Sequence, residues 1–121
     1  MNNKKFRVWD SKEKKFEYFD LWNITVSDYK LAYERIYQFI GIWDKNMKEI
    51  YEGDVVKGIY GLEGLEIIGE VQYSYDLCAY VVDLHHLFSN IELDSLEIVG
   101  NMIEDYMWTE SGEKLVKIEN L

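Results

Sequence analysis

Four carboxylates, Asp44, Glu49, Glu52 and Asp54, crowd into one short stretch of the chain. Paired carboxylates can hold Mg²⁺ or divide the acid and base roles of a hydrolysis. Nothing in this spacing sets their separation, and hairpin turns carry the same residue types as caps. Asp83, His85 and His86 form a second group. Asp83 and His85 share a face if the strand before them continues. Adjacent histidines point to opposite faces, so His85 and His86 do not easily converge on one metal. Without further ligands the group reads as a surface loop. Cys78 is the single cysteine. Its neighbours, Asp76-Leu77-Cys78-Ala79-Tyr80, disfavour a thiolate and suit a buried structural residue. The chain contains no phosphate-binding loop, dinucleotide glycine motif, nucleophile elbow or zinc-protease helix motif. The expectation is therefore no enzyme, no catalytic residue, no cofactor and no metal.

The elements that would position such residues are short strands. The 121 residues are 48% hydrophobic and 30% charged, a composition that folds, and the length suits one domain. A lone cysteine rules out a disulfide scaffold and a thiolate zinc site. No apolar run approaches the ~18–20 residues of a membrane span. The N-terminus lacks the apolar stretch of a signal peptide, so a cytoplasmic protein is expected. Residues 5–9 and 16–19 alternate around a polar turn and read as an N-terminal β-hairpin. Residues 21–26 suit a short strand, and 28–36 a short helix capped at Ser27-Asp28. Residues 39–43 form a strand with a bulge at Gly41, then a turn in which Asn46 takes positive φ. Further strands are expected from Val55, over 66–75, over 79–84 and over 96–104, with 58–65 as a glycine-rich loop or long hairpin tip. The last pairing joins 106–108 to Leu115, Val116 and Ile118. Strands and turns at this spacing suggest an all-β, or β-rich α+β, barrel or sandwich with at most one short helix.

Charge is segregated along the chain. Residues 1–50 carry 10 basic and 8 acidic residues, whereas residues 51–121 carry 3 and 15, for a net of −10 overall. The acidic half would repel a phosphate backbone, so nonspecific nucleic-acid binding is disfavoured. The basic N-terminal arm with exposed aromatics leaves a nucleic-acid-associated barrel as one alternative. An acidic DNA mimic that inhibits a basic host protein is another.

Three blocks carry a family likeness: residues 6–10 (FRVWD), 39–56 (FIGIWDKNMKEIYEGDVV) and 96–104 (LEIVGNMIE). Together they resemble the YopX family of small proteins encoded by phages and prophages of Gram-positive bacteria. The resemblance implies an SH3-like barrel with an N-terminal hairpin, and it transfers no catalytic residues. Trp9, Asp10, Gly41, Asp44, Gly53, Asp54, Gly100 and Asn101 are then structural motif positions. Arg7 and Asp10 flank Trp9 and could pair with charged groups of the middle block, and Asp54 can cap the 51–54 turn. The family usually places Gly where Met47 stands. It often has Pro soon after the third block, where this chain continues Asp105-Tyr106-Met107-Trp108, so residues 105–121 fall outside the likeness.

The chain holds 19 aromatic residues, more ring area than one small barrel absorbs. Trp22, Tyr29, Tyr33 and Tyr37, with Tyr106 and Trp108 of the tail, are the candidate interface. The expectation is a non-enzymatic interaction module that forms a homo-oligomer, dimer or higher, and takes protein partners, a basic host protein among them.

Overall fold

The computed structural model describes residues 6–24, 26–27 and 34–103, and the backbone of 106–108 and 115–117. The architecture is all-β, and among the described residues the helical segments are two single 3₁₀ turns. Strands β1 (Phe6–Asp10) and β2 (Lys15–Phe19) form the expected hairpin, with Phe6 opposite Phe19 and Asp10 opposite Lys15. Asp10 Oδ1 accepts the amides of Lys12 and Glu13, both at 2.9 Å, which closes the turn between them. Strand β3 (Ile36–Trp43) pairs antiparallel with β1 and with β4 (Glu49–Tyr51), giving the sheet order β2-β1-β3-β4. Gly41 sits at φ +89°, where the β3–β4 ladder slips register between Phe39 and Trp43. The bulge read from that glycine is present.

A second sheet runs β8-β7-β6-β5-β9 and curls into a half-barrel. Its strands are β5 (Asp54–Tyr60), β6 (Leu65–Ser74), β7 (Ala79–Val82), β8 (His86–Leu87) and β9 (Glu97–Asn101). Strands β10 (Tyr106–Trp108) and β11 (Leu115–Lys117) pair in the tail, as anticipated, with Trp108 opposite Leu115. Alternation along the sheet sends Val56, Val71 and Val82 inward. They meet Ile50 from β4, and Phe88, Ile91 and Leu96 from the 3₁₀ segments. Ile40 and Ile42 of β3 pack on the same cluster, so both sheets share this core. Each fully buried Leu or Ile here is worth about 1.5–3 kcal/mol. A smaller cluster of Val8, Phe19 and Val26 lies under the N-terminal hairpin.

Several expectations need correction. Residues 28–33 of the proposed helix lie outside the described residues, and Ile36 opens a strand. In place of a strand from 21, residues 20–23 form a turn, because Asp20 Oδ1 captures the amides of Trp22 and Asn23 at 2.9 and 2.8 Å. Residues 58–65 are mostly strand, with only 61–64 at the tip. Gly58 serves close packing there: a Cβ would stand 3.0 Å from Ile91 Cγ2. Cys78 is exposed, not buried, in the turn between β6 and β7. The strand over 96–104 stops at Asn101.

The 44–48 turn also differs. Met47, not Asn46, takes the left-handed conformation, at φ +63°. Asp44 Oδ1 binds the amides of Asn46 and Lys48 at 2.8 and 3.0 Å, and the Met47 amide donates to the Asp44 carbonyl at 3.0 Å. With those amides held, the positive φ falls on the third residue of the loop. That is the position where the family likeness led us to expect Gly. The side chain is 78% exposed, so little packing would be lost with it. Met47→Gly should therefore raise stability by about 0.5–1 kcal/mol, seen as a higher urea midpoint at unchanged m-value.

Candidate functional site

The junction between the two sheets holds a buried ion pair. Arg7 Nη2 on β1 meets Asp54 Oδ1 at the start of β5 at 2.7 Å, with both side chains nearly removed from solvent. The same oxygen accepts Asn101 Nδ2 from β9 at 3.1 Å, and Asp54 Oδ2 caps the Tyr51 amide at 2.8 Å. The guanidinium lies 4.0 Å over the Phe16 ring and 4.6 Å over the Tyr51 ring. Two aromatic faces thus replace the water that a buried cation gives up. Burial pushes the Tyr51 hydroxyl well above its ordinary value, so it stays protonated. Asn101 Oδ1 accepts the Ile103 amide at 2.8 Å.

Gly53 completes the node. At φ +89° its amide donates to the Val71 carbonyl at 3.0 Å, and its carbonyl accepts the Met102 amide at 2.8 Å. A Cβ there would lie in contact with the Tyr37 ring at 3.4 Å, and the positive φ would strain any side chain. Trp9 is half-buried edge-on to Phe16, with centroids 5.0 Å apart. Gly100 faces Val55 beside a register shift between β5 and β9. The pairing of Arg7 with an acidic group of the middle block and the capping role of Asp54 match the sequence reading.

The other carboxylates are dispersed. Buried Asp44 uses Oδ2 to accept the Ile98 amide at 3.1 Å, which ties the 44–48 turn to β9. Burial pushes its carboxyl up, but the amides of Lys48, Ile98 and Asn46, with the Lys48 charge, outweigh that and hold it below the usual carboxylate range. Glu52 Oε1 accepts the Gln38 amide at 3.0 Å. Glu97 bridges Lys45 at 2.8 Å and Lys57 at 3.5 Å on the surface. The histidine pair sits at the β7–β8 turn, where Asp83 and Leu84 both have positive φ. His86 Nδ1 lies 3.2 Å from the Val82 carbonyl, and its ring meets Tyr60 edge-on. Among the described residues no three His, Cys, Asp or Glu side chains are grouped to hold a metal ion.

The candidate interface divides. Trp22 is 98% exposed, with Leu21 and Ile24 exposed beside it. Tyr37 is buried and leaves that set, because alternation in β3 turns it inward with Phe39. Tyr29 and Tyr33 lie outside the described residues, and Tyr106 and Trp108 are described as strand backbone only.

The YopX protein family model matches residues 23–106, more than half of the chain. The chain belongs to the YopX family. The match takes in the middle and third blocks, while the Phe6–Asp10 strand lies before it. No match was found among curated proteins. Asp54 and Asn101 of the buried node thus stand inside the YopX match, and Arg7 reaches them from outside it.

One surface feature escaped the sequence reading. A groove of about 460 Å³ opens along the end of β6 and the turn after it, lined by Tyr73, Tyr75, Asp76, Val81 and Leu84 among others. Tyr73 packs edge-on against both Tyr75 and Tyr80, with centroids 5.1 and 5.2 Å apart. The Tyr80 hydroxyl is raised first by burial and then by the nearby Glu52 charge. The spacing Tyr73, Tyr75, Tyr80 was visible in the sequence, but the hairpin register that stacks the rings was not.

Removing one member of the buried pair leaves the other charged and dry. Arg7→Met or Asp54→Asn should each cost about 3–5 kcal/mol in urea unfolding, and the double variant less than the two single losses combined. Asp44 supplies a pH signature. Its folded value is depressed, so its contribution is complete above the unfolded value near pH ~4 and is lost as pH falls through the folded value. The stability gap between the wild type and Asp44→Asn, about 1–3 kcal/mol at neutral pH, should shrink as unfolding is measured at progressively lower pH.

Proposed function

We propose that this chain is a non-enzymatic, phage-type protein-interaction module that works in the cytoplasm of a host cell and pairs with its own copies. The observation that carries the reading is the turn at 20–24, which holds Leu21, Trp22 and Ile24 out in solvent. Asp20 locks that turn through the amides of Trp22 and Asn23, so the apolar residues are presented on a fixed backbone. Preorganised exposed aromatics lower the ordering cost of a contact and are enriched at interfaces. The carboxylates of the middle block support the same reading, since Asp44, Glu52 and Asp54 accept amides of the chain's own backbone.

Charge favours a basic partner besides the second copy. Between Lys57 and Lys114 the chain has no Lys or Arg, and 12 Asp and Glu. This distribution weighs against nucleic acid and favours cationic protein surfaces.

Sedimentation equilibrium tests the self-association. At high micromolar concentration the wild type should exceed the monomer mass of 14.5 kDa. Trp22→Ser should return it to that mass, and Met47→Gly should leave the association unchanged. A single species of monomer mass at every concentration and salt level overturns the dimer.

A further inference from the structure

We infer that the Tyr73–Tyr75 groove receives an arginine side chain carried on an extended segment of a partner protein. The inference rests on the interaction-module reading and names a second surface, on the half-barrel and separate from the Trp22 turn.

Three observations converge on a cation. The first is shape: about 460 Å³ of open groove is within the range of sites that take a side chain and its neighbouring backbone. The second is the lining. Tyr75 is 87% exposed and Tyr73 partly so, and their mutual edge-on packing holds the rings in place before any ligand arrives. A tyrosine face attracts a cation through its quadrupole, and the planar guanidinium stacks on such a face better than an ammonium does. The chain already uses this chemistry inside, where Phe16 and Tyr51 enclose Arg7. The third is charge. Asp76 lines the groove beside Tyr75 and makes no ion pair among the described residues. Asp76 flanks the two rings, and the surrounding sequence from 58 to 113 offers no Lys or Arg of its own to satisfy it.

Leu84, 70% exposed, adds an apolar wall suited to the methylene stem of the arginine. Leu84 is held there by a turn with two consecutive positive φ values, +54° at Asp83 and +74° at Leu84. The Asp83 amide is pinned to the Glu70 carbonyl at 3.0 Å, which anchors that turn on β6.

A tyrosine-free peptide of four arginines in a glycine-serine background is the probe, followed by NMR amide shifts and calorimetry on the full chain. A matched peptide with citrulline in place of arginine keeps the shape and removes the charge. The arginine peptide should shift the amides of residues 73–76 and 84, and the citrulline peptide should not. Tyr75→Ala leaves the net charge of the protein unchanged, so diffuse attraction to an acidic surface survives it. It should nevertheless weaken binding about threefold or more. Tyr75→Ala with Asp76→Asn should weaken it about tenfold, while Glu63→Gln on the distant hairpin tip should change it less than twofold. Equal affinity for the wild type and Tyr75→Ala, shifts centred elsewhere, or no binding of the arginine peptide overturns the assignment. Those outcomes with Trp22-dependent association intact remove the groove alone and leave the interaction-module reading standing.

Discussion

A guanidinium and a carboxylate, both dry, hold this protein's two sheets in register. Arg7 comes from the N-terminal hairpin and Asp54 from the first strand of the half-barrel. Separately, each would be a costly buried charge. Together, with Asn101, the Tyr51 amide and two aromatic faces, they become a fixed joint. The joint explains much around it. Gly53 must be glycine because the chain turns within this node, with positive φ and an aromatic ring behind it. Tyr37 and Phe16 are drawn inward because they wall the joint, meeting edge-on with centroids 6.0 Å apart. A buried ion pair is weak as a source of net stability, but it is demanding about geometry. Its role here is to allow one docking of the hairpin on the half-barrel.

Asp44 plays a parallel part at the other end of β3. One oxygen of its carboxylate shapes the 44–48 turn and the other reaches across to β9. The two buried aspartates of the middle block are thus spent on long-range connections, from β5 back to β1 and from the turn forward to β9. This gives two of the four carboxylates of residues 44–54 a structural role. Acid residues placed to accept several amides are poor general bases, because the hydrogen bonds that hold them also stabilise their charged form.

Much of this was legible in the residue order. Alternation gave away the N-terminal hairpin, and Gly41 marked the bulge in β3. The FRVWD and EGD segments carried both partners of the ion pair. What could not be read depended on contacts between distant segments. Asn46 looked suited to positive φ, but the Asp44 carboxylate had already fixed the amides on either side of Met47. Gly58 looked like a loop residue until Ile91 and Leu96 were packed over it. Tyr37 looked like surplus surface aromatic until Arg7 and Gly53 needed a wall. Residues 21–26 had strand composition, yet one side chain, Asp20, turned the chain first. Local propensity failed wherever a single polar side chain held neighbouring amides, or where a remote residue filled the space.

The charges are segregated along the chain, and the joint spans the two parts. Ten of the 13 Lys and Arg fall in the first fifty residues, where 8 Asp and Glu nearly balance them, while the half-barrel strands carry Lys57 as their one cation. The face the two sheets share is apolar, with Ile40, Ile42 and Ile50 packed on Val56, Val71 and Val82, and at the junction one ion pair loses its water. There the interaction is strong and directional; elsewhere solvent and salt screen it. The surface ion pairs of Glu97 with Lys45 and Lys57 lie along the same boundary and use cations close to it in the sequence. Beyond that boundary the half-barrel's acids have no Lys or Arg from their own strands. An acidic, tyrosine-bearing surface therefore remains along the end of β6 and the turn after it.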